Sequence, residues 1–193
     1  QVGTWKSAFR EAFEEAYGIN YQTVFAYALA ILDALPSDPI VERAIAHLYQ
    51  AAEYVLQRAA LLRHDLTGRI YHTLLHEELR KAYATYYTGI PAAELLAWLA
   101  ISEARAKVAD FACGSGTLIV AAYHRKLALA HMLGYQASVP ELHRVFLEQD
   151  IWASDAMAFA AHLGMVNLAL QEPAVTFRHS LVYHLETDAR EKL

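Results

Sequence analysis

The sequence predicts an α/β chain, in which a helical first part is followed by the opening strands of a parallel sheet. Three observations carry this. Over the first eighty residues apolar side chains recur at every third or fourth position, the repeat of a helix with one buried face. From Lys107 to Thr117 a short apolar run ends in an acid, passes two glycines and gives way to a further apolar stretch at 118–123, the order strand, tight turn, helix. From Ile151 to Asp155 a second short run ends in an acid and again precedes an uncharged stretch of helical length. Strands that alternate with helical stretches read as a parallel sheet. The expected division is a helical domain over 1–80 and a sheet domain over 81–193.

Composition narrows the class. At 193 residues and 56% hydrophobic, the chain can bury a sizeable core. Its formal charge of -5 excludes the basic footprint of a self-sufficient nucleic-acid binder. The single cysteine, Cys113, excludes an internal disulfide and fits a reducing compartment, so a cytoplasmic protein is expected. The uncharged stretches Gly18–Leu32 and 156–171 are too short and too interrupted to span a bilayer, which needs about 20 mostly apolar residues. The first fifteen residues are charged and amphipathic, unlike a signal peptide, and their lack of an initiator Met reads as trimming.

Along the first part, Thr4 can cap a helix carrying Trp5, Phe9, Phe13 and Tyr17 on one face, ended by Gly18. A second helix runs from Tyr21 to Pro36. Ser37 or Asp38 caps a third, with Pro39 in its first turn and a stripe through Ile40, Ala44, Leu48, Ala52 and Val55. The stretch 65–83 reads as another helix. Its His72 and His76 stand at i and i+4, a metal-binding spacing, but neighbouring Arg69 and Arg80 oppose a cation and packing is the better reading. An aromatic loop then leads through Thr88, Gly89 and Pro91 into a helix to Ala100, expected to bury Leu95, Leu96 and Leu99.

The corner at 107–117 is where a ligand belongs. Gly114 and Gly116 let the backbone approach a bound molecule, and the first amides of the following helix face it with the positive end of the helix dipole behind them. No Gly-Lys-Ser/Thr follows, against a phosphate loop, and Ile119 stands where a dinucleotide fingerprint needs glycine. A nucleophilic role for Cys113 lacks a partner base. The helix after the turn ends at Gly134, and Ser138 with Glu141 forms a capping box for a short helix. Asp150 would begin the second strand and Asp155 ends it. Ligands of an open parallel sheet bind at the carboxyl ends of its strands, so Asp155 is the acid placed to grip vicinal hydroxyls. A helix over 157–170 follows, where Asn167 serves packing or a local hydrogen bond, and Val175–Leu181 is expected as the third strand.

Taken together, Asp65-Leu-Thr-Gly-Arg-Ile-Tyr-His-Thr-Leu-Leu, Tyr86-Tyr-Thr and Asp110-Phe-Ala-Cys-Gly-Ser-Gly-Thr-Leu resemble the N6-adenine DNA methyltransferases of restriction-modification systems, type I methylation subunits and type IIG enzymes above all. The last two segments are similar to that family's Tyr-Thr-Pro element and its Asp-Pro-x-Cys-Gly-Ser-Gly motif. The resemblance covers about 65–170. It implies a Rossmann-like domain that binds S-adenosylmethionine, with Asp110, Ala112, Cys113, Gly114, Ser115 and Gly116 along the methionine part. Tyr87 and Thr88 would close over its tail, Asp155 would hold the ribose, and Ala156 would lie beside the adenine. It further implies DNA as substrate, reached through regions beyond this chain, and specificity and restriction subunits or domains as partners.

The departures are specific. Gly89 stands where the family has proline. An acid that the family carries at the end of strand three, against the adenine amino group, is matched here by His179-Ser180-Leu181. The family's Asn/Asp-Pro-Pro-Tyr/Phe loop, which binds the flipped base, has no counterpart, since no Pro-Pro pair occurs. The expectation is a chain cut short before that loop, holding much of a cofactor site and no catalytic residue. A methyltransferase acting on protein or a small molecule, and a non-catalytic nucleotide-binding or interaction module, remain as the alternatives.

Overall fold

The computed structural model describes residues 4–19, 29–58 and 88–185, together with residues 68, 70, 73 and 78. Tyr87, His72, His76, Arg69, Arg80 and most of the helix expected over 65–83 lie outside the described residues. The chain divides into two compact units, Gln1–Leu62 and Arg63–Leu193.

In the first unit α1 (Thr4–Ile19) contacts α2 (Pro39–Leu56). Asp38 caps α2 through a 2.6 Å hydrogen bond accepted from the Ile40 amide, and Pro39 takes the first turn, where its missing N–H costs nothing. The contact is aromatic: Tyr49 sits 4.9 Å from Trp5 and 6.3 Å from Phe9, centroid to centroid. Lys6 Nζ donates to the Leu35 carbonyl at 2.6 Å, and Arg10 pairs with Asp33. Two sequence expectations are corrected here. Helix α1 passes through Gly18 to Ile19, and the buried residue of α2 is Ile45 rather than the stripe of Ile40 and Leu48, which are exposed. Tyr49, one turn on from Ile45, turns that side of α2 toward the α1 aromatics.

The second unit carries a three-stranded sheet in the order β1-β2-β3, of β1 (Val108–Asp110), β2 (Ile151–Asp155) and β3 (Leu181–His184). Both pairings are parallel, with Val108 opposite Ile151 and Trp152 opposite Leu181. Parallel neighbours need helical crossovers. α4 (Thr117–Met132), α5 (Val139–Val145) and a π-helical turn (Phe146–Asp150) join β1 to β2, and α6 (Ala158–Ala169) joins β2 to β3. The capping box of α5 is present: the Ser138 amide and hydroxyl each donate to Glu141 Oε2 at 2.7 Å. α3 (Ile90–Ala100) precedes β1 and packs on α4.

That packing reverses an expectation. Leu95, Leu96 and Leu99 are exposed, whereas Ala93 and Ala97 are buried. Ala93 and Ala97 lie one turn apart and let two helix backbones come close, so the small side chains take the contact and the large ones are left outside. Arg125 of α4 stacks on Trp98, its guanidinium carbon 3.9 Å from the ring centroid, and donates to the Ile101 carbonyl.

The third strand also moves. Val175 and Phe177 are buried like strand residues, but the backbone before Leu181 is held by other groups. The Val175 amide donates to the Glu172 carbonyl, the Arg178 amide to Glu148 Oε1, and Arg144 Nε to the Thr176 carbonyl. His179, Ser180 and Leu181 therefore lie where β3 begins, not where it ends. The carboxyl end of the strand is His184, followed by Leu185.

Beneath α4 sits an aromatic core in which His143 is fully buried, its ring 5.5 Å from Tyr123 and 6.2 Å from Phe177, with Nδ1 3.1 Å from the Tyr123 hydroxyl. Nε2 is buried without a hydrogen-bond partner. Burial, assisted by the Arg144 charge, pushes the imidazole down to about 4. The unfolded chain therefore takes up this proton first as pH falls. Stability is full above the ordinary histidine range and is lost as pH drops from about 6.5 through about 4, by about 3 kcal/mol in all. Urea unfolding at a series of pH values should show that loss, and His143→Phe should remove its part of the slope. No described helix is long and apolar enough to cross a membrane.

Candidate functional site

The site lies where β1 and β2 end. Asp110 closes β1, and its Oδ1 accepts the Ala112 amide at 3.1 Å, which bends the chain out of the sheet. Cys113 returns to the neighbouring strand, its amide donating to the Ser154 carbonyl at 3.0 Å. The Gly116 amide then donates to the Cys113 carbonyl at 2.8 Å, closing the turn at the head of α4. Gly114 and Gly116 have φ of 53° and 93°, in the left-handed region that costs a residue with a side chain about 1–2 kcal/mol.

Asp155 ties the two strand ends together. Its Oδ2 accepts the Gly114 amide at 2.9 Å, and its Oδ1 accepts the Met157 amide at 2.8 Å. Each carboxylate oxygen has two lone pairs, so Asp155 retains acceptor capacity toward a ligand. Asp110 differs. Its Oδ2 is buried and has no hydrogen-bond partner, a costly state for a carboxylate oxygen unless a donor from a ligand meets it. Asp110 also lines a cleft of about 280 Å³ between α3, β1 and α4, whose other walls include Leu96, Ala97, Val108 and Leu118.

The structure thus brings Asp110, Ala112, Cys113, Gly114, Ser115, Gly116 and Asp155 into one corner, with Ala156 exposed directly after it. Cys113, Ser115 and Gly116 are buried, so their backbone rather than their side chains shapes the corner. Thr88 is exposed in the loop just before α3, which Gly89 begins without a side-chain cap. Tyr87 lies outside the described residues. Burial, with the charges of Asp155 and Asp110 behind it, pushes the Cys113 thiol up to about 12, which opposes a nucleophilic role. A thiol in that state stays protonated at neutral pH.

Asp150 sits at the opposite end of β2, fully buried. Arg105 Nε lies 2.8 Å, Lys107 Nζ 3.0 Å and the buried Lys126 Nζ 3.2 Å from its carboxylate. Burial opposes its ionisation, but these partners outweigh it and hold the carboxyl below its usual range. Its work is structural.

Sequence reasoning missed the role of Gly164. A Cβ built on Gly116 would lie 2.8 Å from the Gly164 Cα, so α6 meets the turn backbone to backbone. A glycine inside an uncharged helical stretch was the available signal. It also missed Phe111, an exposed ring in the corner that stands where the family motif has proline. Gly116→Ala combines left-handed strain with that collision and should destabilise by about 3 kcal/mol. Gly114→Ala, with nothing within 4 Å of the added carbon, should cost only about 1 kcal/mol. Thermal unfolding of both variants checks the order.

No curated protein matches the chain. Residues 62–187, close to two thirds of its length, match the family model described as N-6 DNA Methylase. With the glycine turn and both strand-end acids inside that span, the chain belongs to the N-6 DNA methylase family.

Proposed function

We propose that this chain carries the S-adenosylmethionine site of a methyltransferase acting on the amino group of adenine in DNA, within a restriction-modification system. The observation that carries the reading is the pair of strand-end acids on either side of the glycine turn. Asp110 offers a buried carboxylate oxygen in need of a donor, and Asp155 offers acceptor capacity at the end of the adjacent strand. A molecule with an ammonium group at one end and vicinal hydroxyls further along matches both. S-adenosylmethionine has these in its methionine tail and its ribose.

When bound, the cofactor supplies an electrophilic methyl group on a sulfonium. The chain's own residues bind and orient. Asp110 would receive the ammonium group, the turn from Ala112 to Gly116 would lie along the methionine part, and Thr88, in the loop before α3, would close over the tail. Asp155 would hold the ribose while keeping the Gly114 amide, and Ala156 would lie beside the adenine. β3 begins at Leu181, so His179 and Ser180 stand at its amino end, away from the strand ends that carry Asp110 and Asp155. The sequence holds no Pro-Pro pair from which a base-binding loop could be built, so donor binding without turnover is the expectation for this chain by itself. DNA, and specificity or restriction subunits, would engage other regions.

Isothermal titration with S-adenosylmethionine tests the reading, with ATP and NAD as competing probes. Stoichiometric binding of the methyl donor alone supports it. Tighter binding of either nucleotide, or no binding of the donor, sinks it.

A further inference from the structure

We infer that Asn167 is a positioning residue for the glycine turn, and through it for the methyl donor; the second half of this statement rests on the function proposed above. Asn167 is buried in α6, 2% exposed, three residues after Gly164 and therefore on the same side of the helix. Its Nδ2 donates to the Ser115 carbonyl at 2.7 Å. The partner is a carbonyl, which only accepts, so the amide group must present its nitrogen here.

The choice of carbonyl matters. Ser115 stands between two glycines of positive φ, the part of the turn with the fewest steric limits on rotation. The Ser115 carbonyl and the Gly116 N–H belong to one planar peptide unit, so fixing one fixes the other. Asn167 holds the carbonyl from α6, and the Cys113 carbonyl holds the N–H at 2.8 Å. Held at both edges, the plane cannot swing, and the adjoining amides at the head of α4 keep their direction.

Asn167 is itself braced. Its backbone carbonyl accepts Gln171 Nε2 at 2.8 Å, which turns Gln171 Oε1 toward His124 Nε2 of α4, 2.7 Å away. The imidazole therefore donates from Nε2. One hydrogen-bonded chain runs from α4 through Gln171 and Asn167 into the turn, crossing 52 residues of sequence at its last link.

Amide hydrogen exchange and donor titration on the whole chain test this. Asn167→Ala and Asn167→Asp should speed exchange of the Ser115–Thr117 amides about tenfold relative to those of β2, and weaken S-adenosylmethionine binding about tenfold. Leu168→Ala, which removes a buried side chain of the same helix, should lower stability while leaving that exchange ratio unchanged. An unaltered ratio in the Asn167 variants overturns the positioning role, whether or not the wild-type chain binds the donor. A raised ratio with unaltered affinity overturns its extension to the donor. Failure of the wild-type chain to bind leaves the exchange ratio as the judge of Asn167 and counts against the proposed function alone.

Discussion

Asp155→Ala should reduce S-adenosylmethionine affinity at least about 100-fold, the largest binding effect expected from any single substitution in the site. Three interactions leave with the carboxylate. The Gly114 and Met157 amides lose a charged acceptor, and the ribose hydroxyls lose the partner assigned to them. Charge-assisted hydrogen bonds contribute roughly 1.5–3 kcal/mol each, so loss of the turn's anchor and the ligand's partner together accounts for the size of the effect. Asp155→Asn keeps one oxygen acceptor and should fall between. Calorimetry measures both, and affinity within threefold of wild type in Asp155→Ala would remove the ribose assignment.

Asp150→Ala should do the opposite: destabilise the fold strongly and spare the site in the folded protein. Removing that carboxylate strands Lys126, which is fully buried and whose charge burial already disfavours. Breaking one partner of a buried ion pair costs roughly 3–5 kcal/mol. Among the described residues Lys126 keeps its 2.6 Å hydrogen bond to the Ala106 carbonyl and its place over the Phe146 ring, neither of which carries a compensating charge. Chemical denaturation should record the loss. Because the Asp150 carboxyl is held below its ordinary range, the same contribution is present above that range and fades as pH falls through the lowered value. Donor affinity measured under stabilising conditions should stay near wild type.

The contrast between these two acids is legible in the sequence. They are five residues apart, Asp150 just ahead of β2 and Asp155 at its carboxyl end, and strand polarity alone makes Asp155 the candidate for a ligand. The turn is equally legible, since two glycines between an apolar run and a helix admit few other conformations. What failed, failed for identifiable reasons. α3 is apolar at every position but Glu94, so its periodicity could not choose a face, and packing chose the alanines. Val175 and Phe177 alternate like a strand, yet backbone groups of Val175, Thr176 and Arg178 are satisfied by Glu172, Arg144 and Glu148 rather than by a sheet partner. Asn167 reads in the sequence only as a packing or hydrogen-bonding residue, because the carbonyl it meets lies far away along the chain. Long-range partners of this kind carry no local signature.

The contact between Gly116 and Gly164 sets an unequal rule on substitution histories. A carbon added at Gly116 collides with the α6 backbone, so that position can accept no side chain while α6 and the turn keep their places. A carbon added at Gly164 would instead meet Cys113 Sγ and the Gly114 carbonyl at 3.5 Å, an ordinary contact, so alanine fits there and a longer side chain must push into the turn. Among related sequences that preserve this corner, position 116 should stay glycine while position 164 varies between glycine and alanine. Where position 116 enlarges, α6 should be found displaced from the turn, carrying position 167 with it.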